Sequence, residues 1–133
     1  MFNTYRRALE GTSLSGPTYF SPLLTMMLGY MKTMLTLQMY HILLILTDGT
    51  IHDMKKTKDL IVECSDYPLS IIIVGVGDAD FEDMRELDGD DVVLRDSKGN
   101  YTKRDIVQFV EFRNFMNGDI GALAEEVLNE VPD

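Results

Sequence analysis

The chain has 133 residues, 45% of them apolar, which is enough for one compact domain with its own core. Against 12 Lys and Arg stand 22 Asp and Glu, a formal net charge of −10, so the clustered basic surface that nucleic-acid binding requires is excluded. The lysines that exist, such as Lys55, Lys56 and Lys58, sit beside Asp53 and Asp59 and form no polybasic patch for an anionic membrane.

In chain order, Phe2 to Glu10 carries Arg6 and Arg7 with no apolar core or cleavage site after them. That is no secretory signal, and a reducing, cytosolic compartment is expected. Gly11-Thr12-Ser13-Leu14-Ser15-Gly16-Pro17-Thr18 has the glycine spacing of a phosphate-binding loop, but Pro17 stands where the phosphate-contacting lysine belongs, so these are loop residues. From Phe20 to Leu46 only Lys32 is charged, yet Pro22, Gly29, Gln38 and His41 interrupt the run and its period changes midway. It therefore reads as a buried helix followed by a buried strand, not as a membrane span.

Leu24, Met27, Leu28, Met31, Met34 and Leu35 recur at three- and four-residue steps and predict a core-facing helix. The apolar run Ile42 to Leu46, closed by Thr47-Asp48-Gly49, predicts a parallel strand covered on both faces. Asp53 to Cys64 reads as a second helix, in which the single cysteine is a buried packing residue with neither a disulfide nor a multi-cysteine metal site open to it. Ser70 to Val76 is a second buried strand. Its ending, Gly75-Val76-Gly77, has Asp80 where a dinucleotide fingerprint needs its third glycine, and a tight strand-to-helix turn explains it better. A helix over Phe81 to Leu87, an irregular excursion over Asp88 to Lys103, a strand over Ile106 to Phe112 and a helix over Ile120 to Val131 complete the pattern.

Alternating helices and strands imply an α/β fold: a doubly wound, mainly parallel sheet with helices on both faces, whose ligands bind beyond the carboxyl ends of the strands. The acidic stretches from Asp78 and from Asp88 fail the calcium-loop template, because Asp83 and Val92 occupy positions that need glycine and an oxygen ligand. His41 and His52 lack zinc-pair spacing, and no Ser or Cys sits in a nucleophile elbow, so no enzyme is expected. Asp48 as a lone general base has no acid partner or nucleophile beside it. The informative pair is Thr18, a hydroxyl from a loop just before a helix, and Asp48, a carboxylate just after a parallel strand. On its residues alone Asp48 reads as a turn or helix-capping residue, with metal coordination the alternative.

Four ordered blocks carry a resemblance: Ile42 to Gly49, Pro68 to Gly77, Glu86-Leu87-Asp88-Gly89-Asp90-Asp91, and Arg104 to Val110, followed by the ending Ala124 to Pro132. Together they resemble the copine family, from about Leu14 to Pro132. The similarity implies that residues 1–133 are the C-terminal part of a copine-type von Willebrand factor A domain, a module that binds proteins. Copines join such a domain to two calcium-dependent phospholipid-binding modules, which implies recruitment of target proteins to membranes by a cytoplasmic protein that associates peripherally with them.

In this domain type three loops build a metal-ion-dependent adhesion site. Thr18, in Gly16-Pro17-Thr18, matches the second loop, and Asp48, in Thr47-Asp48-Gly49, matches the third. The first loop, an Asp-x-Ser/Thr-x-Ser signature, and its strand have no counterpart, so the sequence reads as truncated at its N-terminus and its magnesium or manganese site as incomplete. The resemblance implies a carboxylate-bearing partner met through that cation, with calcium and phospholipid bound only by the other modules. The alternative is the substrate-binding domain of a ubiquitin ligase that pairs a similar domain with a RING. Without the neighbouring first strand, Ile42 to Leu46 and the Met-rich face of Leu24 to Leu35 are expected to lose cover and drive self-association.

Overall fold

The computed structural model describes residues 2–10, 16–90, 92–116, 118, 120–129 and 131–132. Most of the glycine-spaced loop read from the sequence, at 11–15, and Asp91 of the acidic stretch lie outside them. The elements are α1 (Phe2–Glu10), α2 (Ser21–Thr33), β1 (His41–Thr47), α3 (Met54–Cys64), β2 (Leu69–Gly75), α4 (Glu82–Asp88), β3 (Val107–Glu111) and α5 (Ile120–Val127). Short 3₁₀ turns follow α2 at Leu35–Leu37 and β3 at Phe112–Phe115. Helix α1 has no antecedent in the sequence reading, and among the described residues no helix is long and apolar enough to cross a membrane.

The three strands form one parallel sheet in the order β1-β2-β3. All seven residues of β2 are buried, so both of its faces need cover. Because side chains alternate along each strand, Leu43, Ile45, Ile71, Ile73, Val107 and Phe109 share one face. Onto it pack Leu24, Leu28 and Met31 of α2, Ile61 and Cys64 of α3, and Met84 and Leu87 of α4. On the other face Leu123 and Val127 of α5, with Phe115 and Val131, cover Ile72, Val74 and Val110. The expected doubly wound α/β arrangement with helices on both faces is thus present. Cys64 is fully buried, and that burial pushes its thiol up to about 11, so the packing role holds.

Two expectations are corrected. Strand β1 is covered on one face only: Leu43 and Ile45 reach the core, but Ile42, Leu44 and Leu46 are 50%, 57% and 67% exposed. The register sets Leu44 beside Ile72 and Leu46 beside Val74, and α5 covers only the β2 and β3 columns of that face. An apolar run shows that a strand is apolar on both sides; it does not show that a helix exists to cover each side. The Met-rich face of α2, in contrast, stays covered through Leu24, Leu28, Met31 and partly buried Met27. Leu35 leaves that face because α2 stops at Thr33 and the chain reverses through the 3₁₀ turn and Gln38, whose left-handed φ of 46° turns it toward β1.

The smaller differences are at element ends. The strand read to Phe112 stops at Glu111, the helix read to Val131 stops at Val127, and the excursion over 88–103 is partly ordered, with Leu94 buried and Arg95 bridged to Tyr101. Asp59 on α3 holds this segment by accepting from the backbone N–H of Ser97 at 2.7 Å and from its hydroxyl at 2.9 Å.

Among the described residues strand β1 also stands at the edge of the sheet, and it lacks the charges and proline that commonly blunt such an edge. From Thr33 to Thr47 the chain carries no Asp, Glu, Lys or Arg and no proline. We therefore expect the chain to self-associate through β1 despite its net negative charge. Sedimentation equilibrium should show a dimer or larger species that Leu44→Lys returns to monomer without unfolding it. A wild-type monomer at high concentration, with slow amide exchange across Ile42 to Leu46, would contradict this.

Candidate functional site

The two ends of the sheet are built differently. At the amino end Arg104 donates to the carbonyl oxygens of Tyr67 at 2.8 Å and of Leu69, lies over the Tyr40 ring and donates to its hydroxyl at 3.2 Å. The Tyr40 and Ser70 hydroxyls are hydrogen-bonded at 2.6 Å. These contacts tie the entries of all three strands together. A cleft of about 250 Å³ at this end is lined by Ile61, Leu87, Asp88, Arg104, Asp105 and Val107 among others, and neither Thr18 nor Asp48 reaches it.

At the carboxyl end the loop Asp48 to Asp53 leaves β1 for α3. The Val76 N–H donates to the Thr47 carbonyl at 2.8 Å, holding the exits of β1 and β2 together. Buried Ile51 pins the loop's middle into the core, and Asp48 is left exposed. The next exit is set by close packing. A Cβ on Gly75 would lie 2.9 Å from the Phe81 ring, so a side chain there would drive α4 away from the sheet. Gly77, with φ of 94°, then makes the turn. The strand-to-turn reading of Gly75-Val76-Gly77 thus rests on one steric requirement and one conformational one.

Thr18 lies two residues ahead of Phe20, which precedes α2, and is half-buried. Its backbone N–H donates to His52 Nδ1 at 2.9 Å, and the His52 N–H donates to the Thr18 carbonyl at 2.9 Å. Next to this reciprocal pair, Asp53 accepts from the N–H of Phe20 at 3.1 Å and of Ser21 at 2.9 Å, and from the Thr57 hydroxyl at 3.1 Å. The structure therefore joins the Thr18 loop to the Asp48 loop through His52 and Asp53. Neither linking residue was singled out from the sequence for this role, since 32 to 34 residues separate the partners and no local pattern marks such a contact.

The helix-capping alternative for Asp48 does not hold. Residue 53, not residue 48, stands at the N-cap of α3, and its carboxylate caps α2 instead, with no side-chain cap bond to its own helix. Further along the same end, buried Glu111 closes β3 between Arg85 and Arg113, and the Arg113 guanidinium lies over the Phe81 ring. Its charge is spent on that pairing.

The chemistry available at Thr18 and Asp48 is that of two oxygen donors on adjoining loops, a hydroxyl and a carboxylate. Small hard cations accept such donors, with water completing their coordination. Among the described residues no group of three or more His, Cys, Asp or Glu is placed to hold a metal. Two such oxygens by themselves fall short of a closed protein site.

Burial alone would push the Asp53 carboxyl up, but the hydrogen bonds from Ser21, Phe20 and Thr57 outweigh it and hold the group below the ordinary carboxylate value. A depressed folded-state value means that this contribution to stability is complete above the unfolded value of about 3.9 and disappears as pH falls through the lower folded value. Asp53→Asn should cost about 1–2 kcal/mol at pH 7, and the gap to wild type should shrink by pH 3. Urea midpoints at both pH values check this, and an equal gap at the two would refute it.

Compared with known protein families, residues 1–133 match the family model described as Copine over the whole chain.

Proposed function

The chain belongs to the copine family, and on that premise we propose that it is a protein-binding module whose recognition surface is the carboxyl end of the sheet around Thr18 and Asp48. The observation that carries the reading is the reciprocal hydrogen bonding of Thr18 and His52, which sets a hydroxyl loop and a carboxylate loop side by side where an α/β sheet binds its ligands. A cation held by Thr18 and Asp48 would supply positive charge to an otherwise acidic molecule, so the partner it suits carries a carboxylate. The protein's own residues orient the two donor loops, while the partner and water complete the contact.

In this reading calcium-dependent phospholipid binding, target recruitment and peripheral attachment to membranes in the cytoplasm belong to a copine as a whole, and this surface selects the target. The role proposed for this surface is binding, not catalysis.

Nuclear magnetic resonance with a Glu- and Asp-bearing peptide tests the surface. Magnesium alone should bind no more tightly than about 1 mM, in keeping with two protein oxygens. With magnesium present, the peptide should shift amides around Thr18, Tyr19, Asp48 and Gly49, and Asp48→Ala should abolish those shifts. Shifts that persist with a chelator, or that map to the amino end, would overturn the assignment. The purified chain should also stay in the supernatant when anionic vesicles are sedimented with or without calcium, since its charge opposes a negative leaflet. Calcium-dependent pelleting would place lipid binding within these residues.

A further inference from the structure

We propose that His52 is the positioning residue of this surface: its ring and its backbone together hold Thr18 in place against the loop that carries Asp48. The inference rests on the reading of Thr18 and Asp48 as the recognition surface.

The two ends of the contact come from segments 34 residues apart, and the two bonds run in opposite directions, Thr18 N–H to His52 Nδ1 and His52 N–H to the Thr18 carbonyl, both at 2.9 Å. One such bond leaves a rotation about its own axis; two fix both backbone groups of Thr18 and with them its Cα–Cβ bond, from which the hydroxyl projects. The Tyr19 ring adds an edge-on contact to the imidazole, with centroids 6.4 Å apart at 70°. The flanking residues leave His52 little freedom, since Ile51 is buried on one side and Asp53 is held by the Phe20 and Ser21 amides on the other.

His52 itself is exposed, so packing does not account for an imidazole here. The position needs a neutral acceptor two bonds from Cβ. A carboxylate would also accept, but it would set another negative charge between Asp48 and Asp53. Asparagine offers Oδ1 at the same number of bonds, glutamine one bond too far, and alanine nothing. A loop fixed in the folded protein does not have to be ordered on binding, so this contact should show in affinity more than in stability.

The test uses the full chain with His52→Ala, His52→Gln and His52→Asn. Amide exchange reads Thr18 directly, and the magnesium-dependent acidic peptide reads the surface. His52→Ala should speed Thr18 exchange and weaken the peptide about tenfold each with an unchanged unfolding midpoint; His52→Gln should behave like it, and His52→Asn should restore both. Unchanged Thr18 exchange in His52→Ala, or no rescue by asparagine, overturns the assignment. A wild-type chain that fails to bind the peptide sinks the recognition reading alone, and Thr18 exchange then still decides whether His52 holds the loop.

Discussion

Strand β2 is buried at each of its seven positions, and a strand with no solvent on either face cannot exist without helices above and below it. Three helices meet this demand on one face through Leu24, Ile61 and Met84, and α5 meets it on the other through Leu123 and Val127. Parallel pairing on both sides of β2 then requires each connection to cross from the carboxyl end of one strand to the amino end of the next. The exits of β1 and β2 therefore open at the same end, and the loops that leave them are thrown together there. Gly75 and Phe81 show how tightly this is drawn, because one methyl group at the end of β2 has no room.

The carboxyl end is held by polar links, unlike the core beneath it. Asp53 carries most of them: a single carboxylate accepts two amides at the start of α2 and the hydroxyl of Thr57 in α3. A charged acceptor facing the amino end of a helix is favoured by the unpaired N–H groups there. His52 adds the two bonds to Thr18. A pair of adjoining residues thus turns the exit of β1 and the entry of α2 into one surface, with Asp48 and Thr18 on either side of it.

The sheet is not covered evenly. On the α5 face the β2 and β3 columns are packed, while Ile42, Leu44 and Leu46 of β1 are exposed beside them, along an edge that meets no further strand among the described residues. Burying such residues stabilises by roughly 25 cal/mol for each Å² removed from water, so this margin has an unmet demand for contact. It is continuous with exposed Leu35, Leu37 and Met39 in the turn ahead of β1, and all of it is uncharged.

The local chemistry of the sequence determined the elements that packing reuses. Short uninterrupted β-branched and leucine runs bounded by turn residues read as strands with apolar faces, three- and four-residue spacing gave α2 and α3 their buried sides, and Gly77 marked the turn after β2. It also marked Thr18 and Asp48 as candidates, since a polar residue just past an apolar strand or just before a helix is conspicuous along the chain, while the copine likeness lay in the residue blocks themselves. Helix α1, spanning Phe2–Glu10, was not legible: Phe2, Tyr5, Ala8 and Leu9 do fall at helical spacing, but over nine residues with Arg6 and Arg7 between them that period is too short to stand out. Only the tertiary structure decided which faces are covered: Leu43 and Leu44 are identical in type, and one is partly buried against the core while the other is exposed because helices pack over one side of β1 and not the other. The same holds for His52 and Asp53. Their partners lie more than 30 residues away, and a hydrogen bond across that distance exists only once the parallel sheet has brought the entry of α2 and the exit of β1 to the same end.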